Sequence, residues 1–250
     1  MRVIKLGGRA QADPSLPAAL VVAWRGAPGA MVVVHGGGDE VSALQRTLGF
    51  EPRFAGGRRV TTAADLEVVR MVLSGAVNKR IVAQLREANA VGVSGEDAGL
   101  LEARVSDTAL GRVGTPVRVN VGVLATLLGG GFLPVVSPVS RESGRVAGRG
   151  LNVNGDDAAA AIAAALHADE LLFLSDVQGV LDDGAPVRAL DPGRARALIA
   201  RGVAVGGMAA KLEAACVAIG LGVAQVRIGD IGAIADCDAG TRISLDPVPA

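Results

Sequence analysis

The chain has no tyrosine, one tryptophan and four phenylalanines in 250 residues, so aromatic side chains make up only 2% of it. A sizeable core must then be filled by Val, Leu, Ile and Ala, which suits buried strands flanked by helices. Cysteine is limited to Cys216 and Cys237, at no metal-ligand spacing, and both are expected to be small core residues of a reduced protein. With only His35 and His167 available, a histidine-rich metal site is excluded. Neither sign of charge is in excess, at 25 basic and 25 acidic residues, and no basic patch points to nucleic acid or a membrane surface. No apolar run approaches about 18 residues, and Met1 to Gly8 contains no charged leader ahead of an apolar stretch, so a cytoplasmic protein is expected. Lysine is nearly missing too: Lys5, Lys79 and Lys211 stand against 22 arginines. Lysine is a compact point charge and arginine a planar fork, so three retained lysines mark positions where the two do not interchange.

What is present reads as α/β throughout. Arg2 to Leu6 is a short apolar strand broken by Gly7-Gly8, and a helix is expected from Ser15 to Arg25. A strand from Ala30 to Val34 runs into His35-Gly36-Gly37-Gly38, and Asp39 to Leu48 returns to helical spacing. Glu51 to Val60 reads as a hairpin turning at Gly56-Gly57. Leu66, Val69, Val72, Leu73, Val77, Ile81 and Leu85 predict one long helix over 62–88, capped by Thr61 or Thr62. Ala90 to Val146 carries short strands and turns around a helix at Asn120 to Leu128, with a buried strand at Phe132 to Val136. An alanine-rich helix is expected over Asn152 to His167, a strand at Glu170 to Ser175, and helices at Pro192 to Arg201 and Gly207 to Leu221. Strands at Gln225 to Ile228 and Thr241 to Leu245 close the chain. The alternation implies an open, mainly parallel sheet between helices. With no linker or repeat, residues 1–250 form one domain whose lobes share a sheet.

Glycine clusters follow three strands: Lys5-Leu6-Gly7-Gly8, His35-Gly36-Gly37-Gly38 and Asn152-Val153-Asn154-Gly155-Asp156. Glycine lets a loop turn sharply and bring backbone N–H groups against an anion at a helix start, although a glycine after a strand is more often a plain turn. A P-loop is excluded because the lysines are preceded by Ile4, Asn78 and Ala210, and no G-x-G-x-x-G follows a strand. A lipase-type oxyanion loop would need a Gly-x-Ser-x-Gly elbow, but Gly92-Val93-Ser94-Gly95-Glu96 lacks that spacing.

Lys5-Leu6-Gly7-Gly8, His35-Gly36-Gly37-Gly38, Gly57-Arg58-Arg59-Val60-Thr61, Val77-Asn78-Lys79, Asn152 to Asp156, Ser175 to Val180 and Gly206-Gly207-Met208-x-x-Lys211 together resemble the amino acid kinase family. The order and spacing match members that phosphorylate the side-chain carboxylate of N-acetyl-L-glutamate in arginine biosynthesis. All three lysines fall inside these motifs. The resemblance implies a sheet of about eight mainly parallel strands, an acyl-substrate lobe over about 1–150 and a nucleotide lobe over about 151–250. It implies that Lys5 and Lys211 flank the transferring phosphoryl group, that Asp156 orients both, and that Gly8 and Gly37 donate backbone N–H groups. Gly37 and Gly38 would line the acyl site, Arg59 would grip the substrate's α-carboxylate, and Asn152 would bond its acylated end. Asp176, Val177, Gln178, Gly179, Val180 and Leu181, with Val203, Ala204 and Val205, would form the nucleotide pocket. ATP brings Mg²⁺, which needs few or no protein ligands. Lys79 is assigned a structural role, tying the long helix to a neighbouring loop.

Two departures stand out. Glu96 and Ala98 occupy positions where the family pattern has a basic residue and a glycine. The chain starts at its first strand, without the N-terminal helix of hexameric, arginine-responsive relatives, so a homodimer using the helix from Leu66 to Leu85 is expected. Two other readings stay open: a kinase for carrier-linked aminoadipate or glutamate, and a regulatory module that binds nucleotide without turnover.

Overall fold

The computed structural model describes residues 1–144 and 149–245; the last two residues of the expected middle region, 145 and 146, lie outside them. Strand β1 (Arg2–Leu6) leads through helix α1 (Leu16–Gly26) to β2 (Met31–His35) and α2 (Gly38–Thr47). The hairpin β3 (Phe54–Ala55) and β4 (Arg58–Arg59) turns at Gly56 and Gly57, both in the left-handed region that glycine tolerates. A long helical stretch then runs as α3 (Ala63–Val69), a π-helical segment (Arg70–Val77) and α4 (Asn78–Gln84). Strands β5 (Ala90–Gly95), β6 (Leu101–Val105) and β7 (Val113–Val119) precede α5 (Val121–Gly129), β8 (Leu133–Glu142) and β9 (Gly150–Val153). After α6 (Gly155–Ala165) come β10 (Glu170–Leu174), the short β11 (Leu181–Asp182), β12 (Ala185–Pro186) and β13 (Ala189–Leu190), then α7 (Pro192–Ala200) and α8 (Gly206–Gly220). Strands β14 (Gln225–Gly229) and β15 (Thr241–Ile243) follow.

One sheet runs β13-β15-β14-β10-β1-β2-β8-β6-β7-β9, with β5 paired to β8. The expected sheet of about eight strands is there, and short edge pieces bring it to eleven among the described residues. Its centre, β14-β10-β1-β2-β8, is parallel throughout. Val3, Ile4, Val32 to Val34 and Leu171 to Leu174 are all fully buried. Successive strand residues point to opposite faces, so consecutive burial means that both faces of this centre are covered.

Three expectations are corrected. The helix at 62–88 contains a π-helical stretch, although its seven apolar positions are all buried and Thr62 forms a capping box with Asp65. The alanine-rich helix starts at Gly155, not Asn152, because Asn152 and Val153 pair with β7 and β8 while Asn154 caps the helix through the Asp156 N–H. It ends at Ala165, with His167 beyond it in the left-handed region. Cys216 is buried but Cys237 is exposed, so only the first is a core residue.

Candidate active site

Parallel strand β1 lies between β2 and β10, and the chain leaves it towards β2 but reaches β10 only after β9 and α6. Beyond the carboxyl end of such a strand the loops diverge and leave a crevice. Gly7-Gly8 follows β1, Gly36-Gly37-Gly38 follows β2, Ser175-Asp176 follows β10, and α6 starts at Gly155. Two adjoining clefts lie there and share Gly8 and Gly38.

At their junction sit the two lysines and one carboxylate. Lys5 Nζ is 2.6 Å from Asp156 Oδ1, and Lys211 Nζ is 3.8 Å from Asp156 Oδ2. Lys211 also donates to the Gly207 carbonyl at 3.4 Å. Lys5 and Asp156 are 7% and 4% exposed, so the charges meet largely out of water, where they act strongly. Burial and the like charge of Lys5 push the Lys211 ammonium below its ordinary pKa, and Asp156 opposes that shift. Two cations on one anion leave a net positive charge here. Neither the Gly8 nor the Gly37 N–H donates to another described residue, which leaves both free for a ligand.

The first cleft is lined by Lys5, Gly37, Gly38, Arg59, Asn152 and Gly155, among others. Arg59 is nearly buried, donates to Gln45 Oε1, Ser42 Oγ and the Gly38 carbonyl, and lies over the Phe54 ring at 4.8 Å. All three acceptors are uncharged; burial lowers the Arg59 pKa, while Asp65, reached through Gln45, and Asp39 act on the charge without contacting it. A nearly buried cation whose direct acceptors are all neutral is a ready anion site. Asn152 donates to Thr61 Oγ1 at 3.0 Å and also lines this cleft. The neighbouring Arg58 reaches Asp157 at 2.8 Å and ties the β3–β4 hairpin to the first turn of α6. Burial raises the Asp157 pKa, against the pull of Arg58.

The second cleft is lined by Gly7, Gly8, Asp176, Val177, Gly207 and Lys211, with Arg9, Asp39 and Met208. Of the residues expected in a nucleotide pocket, Asp176 and Val177 line this cleft. Gln178 and Leu181 are exposed beyond this lining. Val180 and Ala204 have buried side chains, and Gly179 is pressed against Thr241, so these three could offer a nucleotide only backbone. Val203 packs on the core, and Val205 is the exposed cap residue of α8. For a magnesium ion the donor set is sparse: Asp156 is engaged by two lysines and Asp176 by Arg9 at 3.0 Å. This suits an ion carried by nucleotide phosphates rather than by a protein cage.

Several contributors escaped the sequence reading. Ser42, Gln45 and Phe54 shape Arg59, and nothing in their spacing marks them. Arg9 and Asp39 edge the second cleft, next to motifs that were recognised. The departing Glu96 has a partner here, since Arg70 grips both its carboxylate oxygens at 3.0 and 2.6 Å. Lys79 donates to the Gly92 carbonyl at 3.0 Å, so it ties the helix to strand β5 rather than to a loop.

The amino acid kinase family model matches residues 1–230. An acetylglutamate kinase of Paracoccus denitrificans is 45% identical over 234 residues, covering 91% of this chain and 76% of that protein. One from Chloroflexus aurantiacus is 42% identical over 247 residues, covering 97% and 96%. Among solved structures, a Streptococcus mutans protein aligns with a TM-score of 0.87 at 30% identity, covering 98% of both chains. Carbamate kinase from Giardia lamblia bound to AMP-PNP aligns at 0.74 and 20% identity, again over 98% of each, and so shares the fold.

Proposed function

The chain belongs to the amino acid kinase family, and from that premise we propose that it transfers the γ-phosphoryl group of ATP to the side-chain carboxylate of N-acetyl-L-glutamate. The observation that carries the reading is Asp156 between Lys5 and Lys211 at the junction of two clefts, one holding the buried Arg59 with only neutral direct acceptors.

The chemistry brings two anions together, because a carboxylate must attack a phosphoryl group that itself carries spread negative charge. Positioning and charge stabilisation then supply most of the catalysis. In our reading Arg59 receives the α-carboxylate, exchanging neutral acceptors for a charged one, and Asn152 bonds the acetamido end. Gly8 and Gly37 offer their unpaired N–H groups to the attacking carboxylate and the phosphoryl oxygens. Lys5 faces the acceptor side and Lys211 the leaving side, while Asp156 keeps the two ammonium groups apart and aimed. The nucleotide occupies the second cleft, its base side towards Gln178 to Leu181 and Val203 to Val205, and Mg²⁺ travels on its phosphates. Residues 1 to about 150 act as the acyl-substrate lobe and the remainder as the nucleotide lobe, in a cytoplasmic enzyme. No helix among the described residues is long and apolar enough to cross a membrane.

Trapping the acyl phosphate with hydroxylamine tests reaction and substrate together. ATP-dependent hydroxamate should form from acetylglutamate and far less from free glutamate, aspartate or aminoadipate derivatives. Comparable yields from acetylglutamate and free glutamate would overturn the substrate; no hydroxamate from any of them would leave the regulatory-module reading. We also propose a homodimer through the outer side of the 63–84 helical stretch. Its core-facing residues Leu66, Val69, Val72, Leu73, Val77 and Ile81 are already buried within the chain, and its outer side leaves Met71 exposed. Light scattering that gave a monomer or a hexamer would refute that assembly.

A further inference from the structure

The mechanism leaves His35 and Asn78 unused, although both are fully buried beside the acceptor cleft. The Asn78 amide nitrogen lies 3.0 Å from the Val135 carbonyl and 3.1 Å from His35 Nε2, and its oxygen lies 3.2 Å from Lys79 Nζ. A carbonyl can only accept and an ammonium can only donate, so the two outer partners fix which way the amide points. Its N–H then faces His35 Nε2, which must present a lone pair. The ring proton is left on Nδ1, 3.0 Å from the Gly36 carbonyl. Gly92 makes room for the close approach, since a Cβ there would lie 1.9 Å from Asn78 Oδ1.

We propose that Lys79, Asn78 and His35 form a positioning chain that aims the Gly37 N–H at the acceptor carboxylate and the phosphoryl group. This rests on reading the first cleft as the acyl-acceptor site. The link is the planar peptide unit: the Gly36 C=O and the Gly37 N–H belong to one rigid plane and point in opposite directions. Holding the Gly36 oxygen from the His35 side therefore sets where the Gly37 N–H points. Gln11 donates to the same oxygen at 3.2 Å but is only partly buried. From the other side the helix immediately before Asn78 presses on the loop, because a Cβ on Gly37 would lie 2.9 Å from Leu73 and 3.1 Å from Val77. Lys79 thus reaches the site it does not touch, through one amide and one imidazole.

The charged groups bearing on the ring are Lys5 from β1, Arg80 from α4 and Glu40 from α2, with Arg80 and Glu40 paired at 2.6 Å. None replaces Asn78 as a partner of Nε2 among the described residues. An Asn78→Asp carboxylate has no N–H to offer, so Nε2 should take up a proton to meet it.

With only two histidines, ¹⁵N-edited NMR of the ring nitrogens reads the chain directly, and His167→Gly assigns the signals. The native protein should show His35 protonated on Nδ1 with Nε2 bare at pH 6–7; Asn78→Asp should show Nε2 protonated over the same range. Kinetics supply the functional arm. Asparagine can place its amide N–H near the position of Nδ1, so His35→Asn should keep kcat/KM for acetylglutamate within about threefold, whereas His35→Leu should lose at least about tenfold at an ATP KM within about twofold. A native Nε2–H ring, an unchanged Nε2 in Asn78→Asp, or equal kinetics for the two His35 variants at matched melting temperatures would overturn the proposal. The NMR arms need no turnover. The expected ring states with no hydroxamate from the native protein would sink the functional reading while supporting the chain's hydrogen-bond order. If Asn78→Asp does not fold, the native ring state and the pair of His35 variants still decide the matter.

Discussion

Lys5 and Lys211 are the residues on which the functional reading depends most, and the test at this scale keeps their charge while changing its shape. Lys5 Nζ sits 2.6 Å from Asp156 with a nearly buried side chain, and a Cβ at Gly155 would already come within 3.3 Å of Lys5 Cε. A planar guanidinium does not fit that space, nor can it donate as a compact point charge. Loss of one preorganised contact to developing charge costs roughly 10²–10³ in turnover. Lys5→Arg and Lys211→Arg should each lose at least about a hundredfold in kcat, with modest change in melting temperature. Near-native turnover in Lys211→Arg would mean that lysine is not required at the leaving side.

Among the elements, α6 carries the cleanest test, because its start serves the site and its end serves only the fold. At the start Asn154 caps the helix and sets Asp156 in the first turn. At the end Ala168 N–H bonds to the Ala163 carbonyl and His167 N–H to the Ala164 carbonyl, the double bond pattern that closes a helix through a left-handed residue. That residue is His167, at φ 47°, where a side chain costs about 1–2 kcal/mol and glycine does not. His167→Gly should therefore stabilise the protein by about 1 kcal/mol, which raises the melting temperature by roughly 2–4 °C in a domain of this size. Catalytic constants should stay at native values, since His167 lines neither cleft. A melting temperature that falls would show that the imidazole makes up for its backbone strain.

For the molecule as a whole, the buried imidazole couples stability to pH. Burial drives the His35 pKa down to about 4 from an ordinary value of 6.5, with Lys5 and Arg80 lowering it further and the Gly36 bond and Glu40 opposing. The unfolded chain takes up this proton below pH 6.5, whereas the folded chain resists until pH 4. Stability is therefore fully present above pH 6.5, falls as pH drops through that window, and levels off below pH 4. Between pH 7 and pH 4.5 the native protein should lose about 2–3 kcal/mol more than His35→Asn. Urea unfolding of both proteins at the two pH values measures the difference, and parallel losses would rule out His35 as the source. A second buried network bears on the fold alone. Arg227, 1% exposed, and Arg2 share Glu170 and bond the carbonyls of 233–239, pinning that loop to β1, β10 and β14.

By itself the sequence determined the alternation of strands and helices, the buried face of the helix at 62–88 and the glycine loops that line the two clefts. These are set locally: apolar periodicity fixes which residues turn inward, and glycine fixes where backbone can approach an anion. Lys5, Asp156 and Lys211 could be named because their neighbours form compact motifs. That Asp156 would serve both lysines was implied by the family resemblance alone; the tertiary structure supplies the physical means, since β1, α6 and α8 are far apart in the chain and come together where the sheet's connections diverge. It also decided the start of α6, because Asn152 and Val153 directly precede an alanine-rich helical run and are set apart from it by pairing with β7 and β8. The setting of Arg59 was equally out of reach: Ser42 and Gln45 read as ordinary polar residues of a helix until the β3–β4 hairpin packs against them. The same holds for Lys79, whose link to Gly36 runs through Asn78 and His35, 43 residues apart in sequence and 3.1 Å apart in space. A hydrogen-bond chain across β2, α4 and β8 leaves no periodic trace in sequence, because each of its members obeys only the partner that folding brings to it.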